Sequence, residues 1–81
     1  MKDGETEKAF GRVLQEIRRE RQISQEELGF RSGYHRTYIS LLERGKKSPS
    51  LQTIFRLASA LNIEASDMIK RVEALVSTSS E

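Results

Sequence analysis

Hydrophobic positions along this chain recur at the spacing of amphipathic helices. In the first such stretch they fall at i, i+3, i+4 and i+7 and form one apolar stripe: Phe10, Val13, Leu14 and Ile17. Later stretches repeat the helical spacing, whereas strand-like alternation is scarce and proline occurs once. The pattern predicts an all-α fold of five helices, over Glu7–Arg21, Gln25–Arg31, Arg36–Arg44, Leu51–Leu61 and Asp67–Val76.

Residues at the predicted helix ends support these bounds. Ser24 and Glu27 form a capping box, in which the Ser24 hydroxyl takes the Glu27 amide and the Glu27 carboxylate reaches back. Gly33 supplies the left-handed backbone of a tight turn after the second helix. The other predicted end residues are two N-caps, Ser50 and Ser66, and two C-terminal residues, Gly45 and Asn62.

Hydrophobic residues of the shorter helices are expected to pack in the core. Leu28 and Phe30 hold the second helix, which is too short to be stable alone. Ile39 and Leu42 point inward from the third helix. Gly11 costs roughly 1 kcal/mol relative to alanine within a helix, so we expect a close contact there. The apolar set of the fourth helix is Leu51, Ile54, Phe55, Ala58 and Leu61, and that of the fifth is Met68, Ile69, Val72, Leu75 and Val76.

Length and composition limit what the chain can be. Its 81 residues make one domain, expected at 7–76 between flexible ends at 1–6 and 77–81. The absence of cysteine excludes disulfides and thiolate metal sites, and a cytoplasmic location is the simplest interpretation. The apolar runs are too short for a transmembrane span or a signal peptide, so no membrane association is expected.

The second and third helices, joined by a tight turn at Ser32-Gly33, have the layout of a helix-turn-helix. In this motif the second of the two helices lies in the major groove of DNA. The whole chain carries a net charge of only +2, but residues 31–47 hold five cations and one acid. A local cationic surface matters more for attracting phosphates than the total charge does. The sequence therefore predicts a sequence-specific binder of double-stranded DNA.

The outer face of the third helix carries the residues that would read DNA. Four are predicted to contact bases: Arg36, Thr37, Ser40 and Leu41. The guanidinium of Arg36 can grip guanine O6 and N7, or a phosphate. Its alternative, and that of Thr37, is a side chain that only faces solvent. Leu41 suits a thymine methyl, with partial packing in the core as its alternative. Three cations beyond this face are predicted to neutralise phosphates: Arg44, Lys46 and Lys47.

Two residues at the edges of the third helix are further predicted phosphate contacts. His35, the only histidine, is expected at the N-cap, and the lack of partner ligands argues against a metal role. Tyr38 lies at the flank, where its hydroxyl could reach a phosphate while its ring stays on the protein. The alternative is a half-buried tyrosine with no contact to DNA. No metal and no cofactor are expected.

Several short motifs follow one another along the chain: Gln25-Glu26-Glu27-Leu28, Ser32-Gly33, Tyr38-Ile39-Ser40, Glu43-Arg44-Gly45, Pro49-Ser50-Leu51 and Leu57-Ala58-Ser59-Ala60-Leu61. Together they resemble the Cro/C1-type helix-turn-helix domain of phage-repressor-like regulators, the xenobiotic-response-element family. The resemblance covers residues 10–69 and implies a compact five-helix, lambda-repressor-like fold. Within the family, residues 35–45 look most like the controller proteins of restriction–modification systems, which are small dimers that activate and repress their own operon.

The resemblance also implies roles for individual residues. Gln25 and the N-terminus of the second helix face a backbone phosphate in this family, with a plain surface residue as the alternative. Glu43 pairs with an arginine of the first helix, a position that Arg18 matches here. By the same analogy, Glu26 and Glu27 are the residues that would contact RNA polymerase.

The fifth helix has more apolar surface than a small core needs, so part of it is predicted to meet a two-fold copy of the chain. The predicted dimer interface is Met68, Val72, Leu75 and Val76. A dimer would hold two recognition helices about 34 Å apart, so that they read half-sites one helical turn apart. The alternative is that the fifth helix only completes the core of the monomer.

The resulting hypothesis is a homodimeric transcriptional regulator that binds a two-fold symmetric operator. Its competitor is an antitoxin-like module whose main partner is a protein; such proteins add a long toxin-binding segment, for which we expect little room after the fifth helix. An enzyme is disfavoured because the sequence has no nucleophile–base set, metal cluster or glycine-rich phosphate loop. No ligand-sensing domain is evident, so control is expected to depend on protein concentration and dimerisation, without a small-molecule effector.

Overall fold

The computed structural model describes residues 4–79, and the regular structure within them is all helical. The helices are α1 (Glu5–Glu20), α2 (Gln25–Ser32), α3 (Arg36–Glu43), α4 (Leu51–Ala60) and α5 (Ala65–Ser79). α1 packs against α3 and α5, α2 packs against α3 and α4, and α4 packs against α5. The predicted all-α, five-helix fold is confirmed. None of the described helices is long and apolar enough to cross a membrane.

The two outer helices begin earlier than predicted. α1 begins at Glu5, directly after Gly4 in the left-handed conformation (φ 79°). α5 begins at Ala65, and the carbonyl of Glu64 accepts the amide of Met68 at 3.1 Å. Ser66 therefore lies inside α5, and its prediction as an N-cap was wrong because a hydroxyl in the sequence does not by itself fix the first turn. Of the predicted flexible ends, 1–3 and 80–81 lie outside the described residues, whereas 5–6 and 77–79 are helical.

Side-chain caps and left-handed residues set the inner helix ends. The Ser24 hydroxyl accepts the Glu27 amide at 3.0 Å, as predicted. The Glu27 carboxylate, however, accepts a hydrogen bond from Arg31 Nε at 2.7 Å and does not close the capping box within the described chain. Ser50 caps α4 by accepting the Thr53 amide at 3.1 Å. Backbone with positive φ follows α2, α3 and α4 at Gly33 (84°), Gly45 (71°) and Asn62 (59°).

The core forms where α1 meets the other helices. Gly11 is the point of closest approach, since a Cβ there would overlap the carbonyl oxygens of Leu42 and Glu43 at the end of α3. This contact accounts for a glycine inside a helix and confirms the expected close packing. The largest fully buried side chains are Leu14, Ile17, Leu28, Ile39, Leu42, Leu57, Leu61, Met68 and Val13.

Three large hydrophobic residues predicted to pack in the core lie on the surface. Phe30 is 84% exposed, Leu51 71% and Phe55 58%. In α4 the inner face includes Leu57 and Thr53, which are buried. Apolar residues lie on more than one side of α4, so the helical spacing of the sequence does not decide which side faces the core. The hydroxyl of Thr53 is hydrogen-bonded, which lets a polar residue take an inner position.

α5 completes the core of the monomer. Met68 is fully buried and Val72 is only 6% exposed, both within the chain itself. These two side chains have almost no surface left for a second copy, so their prediction as dimer contacts was wrong. Leu75 and Val76 are half-buried and pack against the edge of the core.

Candidate nucleic-acid interface

The turn between α2 and α3 holds the predicted recognition helix, α3, tightly against α2. The amides of Gly33 and Tyr34 both donate to the carbonyl of Gly29, at 2.9 and 2.8 Å. A Cβ on Gly29 would lie 2.5 Å from the Tyr34 carbonyl oxygen, so only glycine permits this approach. The chain reverses direction at Gly33, where φ is positive. The two helices therefore form one compact helix-turn-helix unit.

α3 presents its polar residues on the side opposite the core. Ile39 and Leu42 are fully buried. Among the predicted base contacts, Arg36 and Thr37 are exposed at the start of the helix, whereas Ser40 and Leu41 are half-buried one turn later. Leu41 thus packs partly against the protein and keeps an accessible edge. The four side chains share one face, and the first two protrude most freely from it.

His35 occupies the N-cap of α3, as predicted. Its Nδ1 accepts the backbone amide of Thr37 at 3.0 Å. A ring nitrogen accepts such a bond only when it carries no proton, so the capping geometry leaves Nε2 as the nitrogen that can donate. The exposed side chain therefore caps the recognition helix with one nitrogen and has a donor on the other. Contact between that donor and a phosphate stays a prediction.

Glu43, at the end of α3, is the centre of a buried hydrogen-bond network. Arg18 of α1 donates to its two carboxylate oxygens from Nε and Nη2, at 2.6 and 3.0 Å. The exposed fraction is 1% for the Glu43 side chain and 11% for that of Arg18. Arg18 also donates from Nη1 to the carbonyl of Ile23 at 2.9 Å. The predicted ion pair is present, and it joins α1, the α1–α2 connection and α3.

Two glutamines extend this network in a way the sequence did not predict. Nε2 of Gln25, at the start of α2, donates to Glu43 Oε1 at 3.0 Å. Nε2 of Gln15 in α1 approaches the same oxygen at 3.4 Å. Gln25 therefore braces α2 against α3, and only the second hydrogen of its amide and its carbonyl oxygen remain for other partners. Its predicted phosphate contact has to use these atoms or the free backbone amides at the start of α2.

Some exposed cations have an acidic partner within residues 4–79, and others do not. Arg12, Arg31 and Arg71 each lie within 3.4 Å of a glutamate. No acidic group of residues 4–79 lies within ion-pair distance of the cations along α3 and the loop after it. These four exposed residues, which we call the recognition edge, are Arg36, Arg44, Lys46 and Lys47. Unpaired cations gathered along one edge of a helix are typical of a phosphate-binding surface.

The flank of α3 is built from two tyrosines. Tyr38 is half-buried, and its ring lies 5.0 Å from the ring of Tyr34 at an angle of 49°. The ring thus stays on the protein, as predicted, and leaves the hydroxyl as the part of Tyr38 that could meet a phosphate. Sequence reasoning did not single out Tyr34, although it directly precedes the N-cap of α3.

The region built around these two helices matches a known family. A family model described as helix-turn-helix aligns with residues 14–68, well over half of the chain. The chain belongs to the helix-turn-helix family. The matched region of this helix-turn-helix protein contains the Glu43 network, the recognition edge and all predicted base contacts.

Relatives of this helix-turn-helix protein include restriction–modification control proteins. Control protein C.BamHI of Bacillus amyloliquefaciens is 39% identical over 61 residues, which cover 74% of this chain and 75% of that protein. An uncharacterised HTH-type transcriptional regulator of Sinorhizobium fredii, y4dJ, is 37% identical over 62 residues, covering 76% and 80%. The crystal structure of the controller protein C.AhdI from Aeromonas hydrophila matches with a TM-score of 0.75 and 42% identity, over 76% of this chain and 94% of that one. The chain therefore resembles controller proteins in sequence and in fold.

The helix-turn-helix protein also has an exposed apolar surface between α4 and α5. Leu51 and Phe55 of α4 and Ile69 of α5 line one groove there, and we call these three residues the α4–α5 patch. Half-buried Ile54 and Ala65 form part of the same groove. Contiguous exposed apolar surface on a small protein marks an interaction site. Leu51 and Phe55 were expected in the core, and none of the three patch residues was among the predicted dimer contacts.

Proposed function

We propose that this helix-turn-helix protein binds a two-fold symmetric DNA operator as a homodimer and regulates transcription, as a restriction–modification controller protein and not as an enzyme. The main support for the proposal is the recognition edge. Its cations have no acidic partner within residues 4–79 and lie along α3, whose C-terminal end is held by the Glu43 network. The names of its relatives, control proteins and an HTH-type transcriptional regulator, point to the same function. Such a protein acts on DNA in the cytoplasm.

In this proposal, residues on the exposed face of α3 contact bases, and residues around that face contact phosphates. Arg36, Thr37, Ser40 and Leu41 read base edges in the major groove. The residues that hold the DNA backbone are Gln25, His35, Tyr38, Arg44, Lys46 and Lys47. Phosphate contacts fix the register of the protein on the duplex, whereas base contacts choose the sequence.

The proposed dimer forms through the α4–α5 patch, with Leu75 and Val76 at its edge. Leu51, Phe55 and Ile69 are apolar side chains that water otherwise surrounds, so covering them with the same surface of a second copy is favourable. A two-fold axis there relates two α3 helices, each available for one half-site. In this proposal the fraction of dimer, and hence operator occupancy, follows protein concentration.

The first test is a selection of bound sequences from random duplex DNA at near-physiological salt. Enrichment of a two-fold symmetric site is expected, and its half-site spacing would report the separation of the two α3 helices. If only salt-sensitive binding without enrichment were seen, sequence-specific regulation would be ruled out. The antitoxin-like alternative, with a protein as the main partner, would then be the better interpretation.

Substitutions at the recognition edge should separate base reading from phosphate binding. Arg36→Ala is expected to cost about 1–3 kcal/mol of binding at the selected site and to relax the choice of base at one position. Lys46→Ala should weaken binding to all sequences alike and lower the slope of log affinity against log salt by about 1. The matched control is Arg71→Ala, which removes a cation of α5 that is paired with Glu20 of α1; it should leave both quantities unchanged. Identical behaviour of the Arg36 and Lys46 variants would refute this division of roles.

We propose in addition that activation uses the outer face of α2 to contact RNA polymerase. Glu26 and Phe30 are one helical turn apart and both exposed, Phe30 to 84%. Glu27 is a weaker contact than the family analogy suggests, because its carboxylate is hydrogen-bonded to Arg31. Phe30→Ala and Glu26→Gln should leave operator affinity unchanged and abolish most activation in transcription with purified polymerase. Full activation by both variants would exclude this surface.

A further inference from the structure

We propose that Tyr34 is a positioning residue that sets which half-site spacing the dimer accepts, by tying the start of α3 to α4. The inference rests on the proposed function, because spacing has meaning only for a dimer on a two-fold site. Tyr34 belongs to neither the base-reading face nor the recognition edge. Its effect would pass through the orientation of α3.

The backbone of Tyr34 is fixed at the junction of α2 and α3. Its amide donates to Gly29 at the end of α2, and its carbonyl lies against the same glycine. The next residue is His35, which caps α3. Whatever holds Tyr34 therefore holds the first turn of the recognition helix.

The side chain of Tyr34 reaches across to α4. Its hydroxyl is 2.9 Å from Thr53 Oγ1, and Thr53 is only 4% exposed. The Ser50 hydroxyl donates to the same Thr53 oxygen at 3.0 Å and accepts the Thr53 amide at 3.1 Å. Arg56, one turn later in α4, lies with Cζ 5.4 Å from the centre of the Tyr34 ring, in a cation–π arrangement. Two contacts of different chemistry thus hold one ring to the first turns of α4.

These contacts matter because α3 and α4 share little other packing. Within residues 4–79, α3 packs mainly on α1 and α2, whereas α4 packs mainly on α2 and α5. The Tyr34–Thr53 hydrogen bond is therefore a direct tie between the entry to the recognition helix and α4. The Tyr34–Thr53 bond is part-buried, and breaking it removes one partner from a Thr53 hydroxyl that has little access to water.

α4 carries the tie to Tyr34 and also two residues of the α4–α5 patch, Leu51 and Phe55. In the proposed dimer the two-fold axis is set at that patch, so α4 is the reference against which each α3 is oriented. A change in the tilt of α3 relative to α4 occurs once in each protomer. The separation of the two recognition helices therefore changes by twice the displacement of one, which makes half-site spacing a sensitive measure of the tie.

The test measures spacing selectivity, defined as the ratio of affinities for a site of selected spacing and for sites one base pair shorter or longer. Tyr34→Phe keeps the ring and removes the hydroxyl, and Thr53→Val removes the other partner. Each is expected to lower the selectivity of the wild-type protein about threefold to tenfold, the range that one hydrogen bond supports. Thr53→Ser keeps the hydroxyl and should retain wild-type selectivity. The double variant Tyr34→Phe, Thr53→Val should be no worse than Thr53→Val alone, because Thr53→Val already removes the Tyr34–Thr53 bond together with the bond from Ser50.

A second readout separates positioning from general stability. Discrimination between the selected half-site and a half-site with one changed base should stay at the wild-type level in all variants. Unchanged spacing selectivity in both Tyr34→Phe and Thr53→Val would overturn the inference, as would an equal loss of base discrimination. If the wild-type protein selects no two-fold site at all, the proposed function fails and this inference fails with it. If the wild-type protein selects a two-fold site and the variants have the same spacing selectivity, only the role of Tyr34 is wrong.

Discussion

Replacing Glu43 by alanine is expected to lower the free energy of unfolding by about 3–5 kcal/mol. The carboxylate of Glu43 is nearly fully buried and accepts hydrogen bonds from Arg18 and Gln25. Without it, the guanidinium of Arg18 stays largely buried with no opposite charge, and the amide of Gln25 loses its acceptor. Such a loss is a large part of the stability of a domain of this size. Urea unfolding followed by circular dichroism would measure it.

The matched control for Glu43→Ala is Glu16→Ala. Glu16 pairs with Arg12 at 3.4 Å, but the side chains in this pair are 48% and 70% exposed. Exposed pairs contribute about 0–1 kcal/mol, so the control should be nearly as stable as the wild type. Equal losses of stability in the two variants would show that the buried Glu43 network contributes no more to the free energy of unfolding than an exposed ion pair. Glu43→Gln keeps the shape of the side chain and removes its charge, so its free energy of unfolding should lie between those of Glu43→Ala and Glu16→Ala.

Replacing Phe55 by glutamate is expected to convert the proposed dimer to a monomer and to weaken binding to the two-fold operator about 100-fold or more. Phe55 is more than half exposed in the single chain, so a charge there leaves the core intact. In a symmetric interface the same substitution puts two carboxylates into one apolar contact, where neither has a partner. Sedimentation equilibrium would measure the oligomeric state, and titration of labelled operator the affinity.

Phe30→Glu provides the comparison for Phe55→Glu. It makes the same chemical change at an exposed phenylalanine of α2 that lies outside the α4–α5 patch. The Phe30 variant is expected to remain dimeric and to bind the operator as the wild type does. A dimer that survives Phe55→Glu would place the interface elsewhere, and loss of the dimer in both variants would point to a general effect of added charge.

Local signals in the sequence were sufficient for much of the helix-turn-helix. Ser24 and Ser50 cap α2 and α4 as predicted, and Gly33 takes the left-handed backbone of the turn. The buried side of α3 was also predicted, because Ile39 and Leu42 are apolar and lie three positions apart, on the same face of a helix. These features depend on residues within one or two turns of each other, and such short-range rules are readable from a single sequence.

Features that depend on distant partners were harder to predict. Phe30, Leu51 and Phe55 have the hydrophobicity of core residues, but whether such a side chain is covered depends on which helix lies beside it. The same limit applies to Met68 and Val72, which were assigned to an interface and lie in the core. α5 has enough apolar positions for both roles, and their division between core and surface depends on how α5 packs against α1 and α4.

Some contacts of the Glu43 network were predicted from the sequence, and others were not. The Arg18–Glu43 pair was predicted through the family resemblance, because that pattern carries tertiary information that one sequence lacks. The contacts of Gln15 and Gln25 with Glu43 span 28 and 18 residues of the chain and have no local signature. Gln25 was therefore assigned only to a phosphate, although part of its amide is already bound within the protein.

The surface proposed to read DNA lies on α3, whereas the α4–α5 patch proposed as the dimer interface lies on other helices. Two related chains in one cell could therefore diverge in operator sequence while keeping the same patch. Such chains would exchange protomers and form mixed dimers, in which each half recognises a different half-site and neither parental operator is matched. Insulation of one regulatory circuit from another would then require changes at Leu51, Phe55 or Ile69, although the proposed DNA contacts do not include these residues.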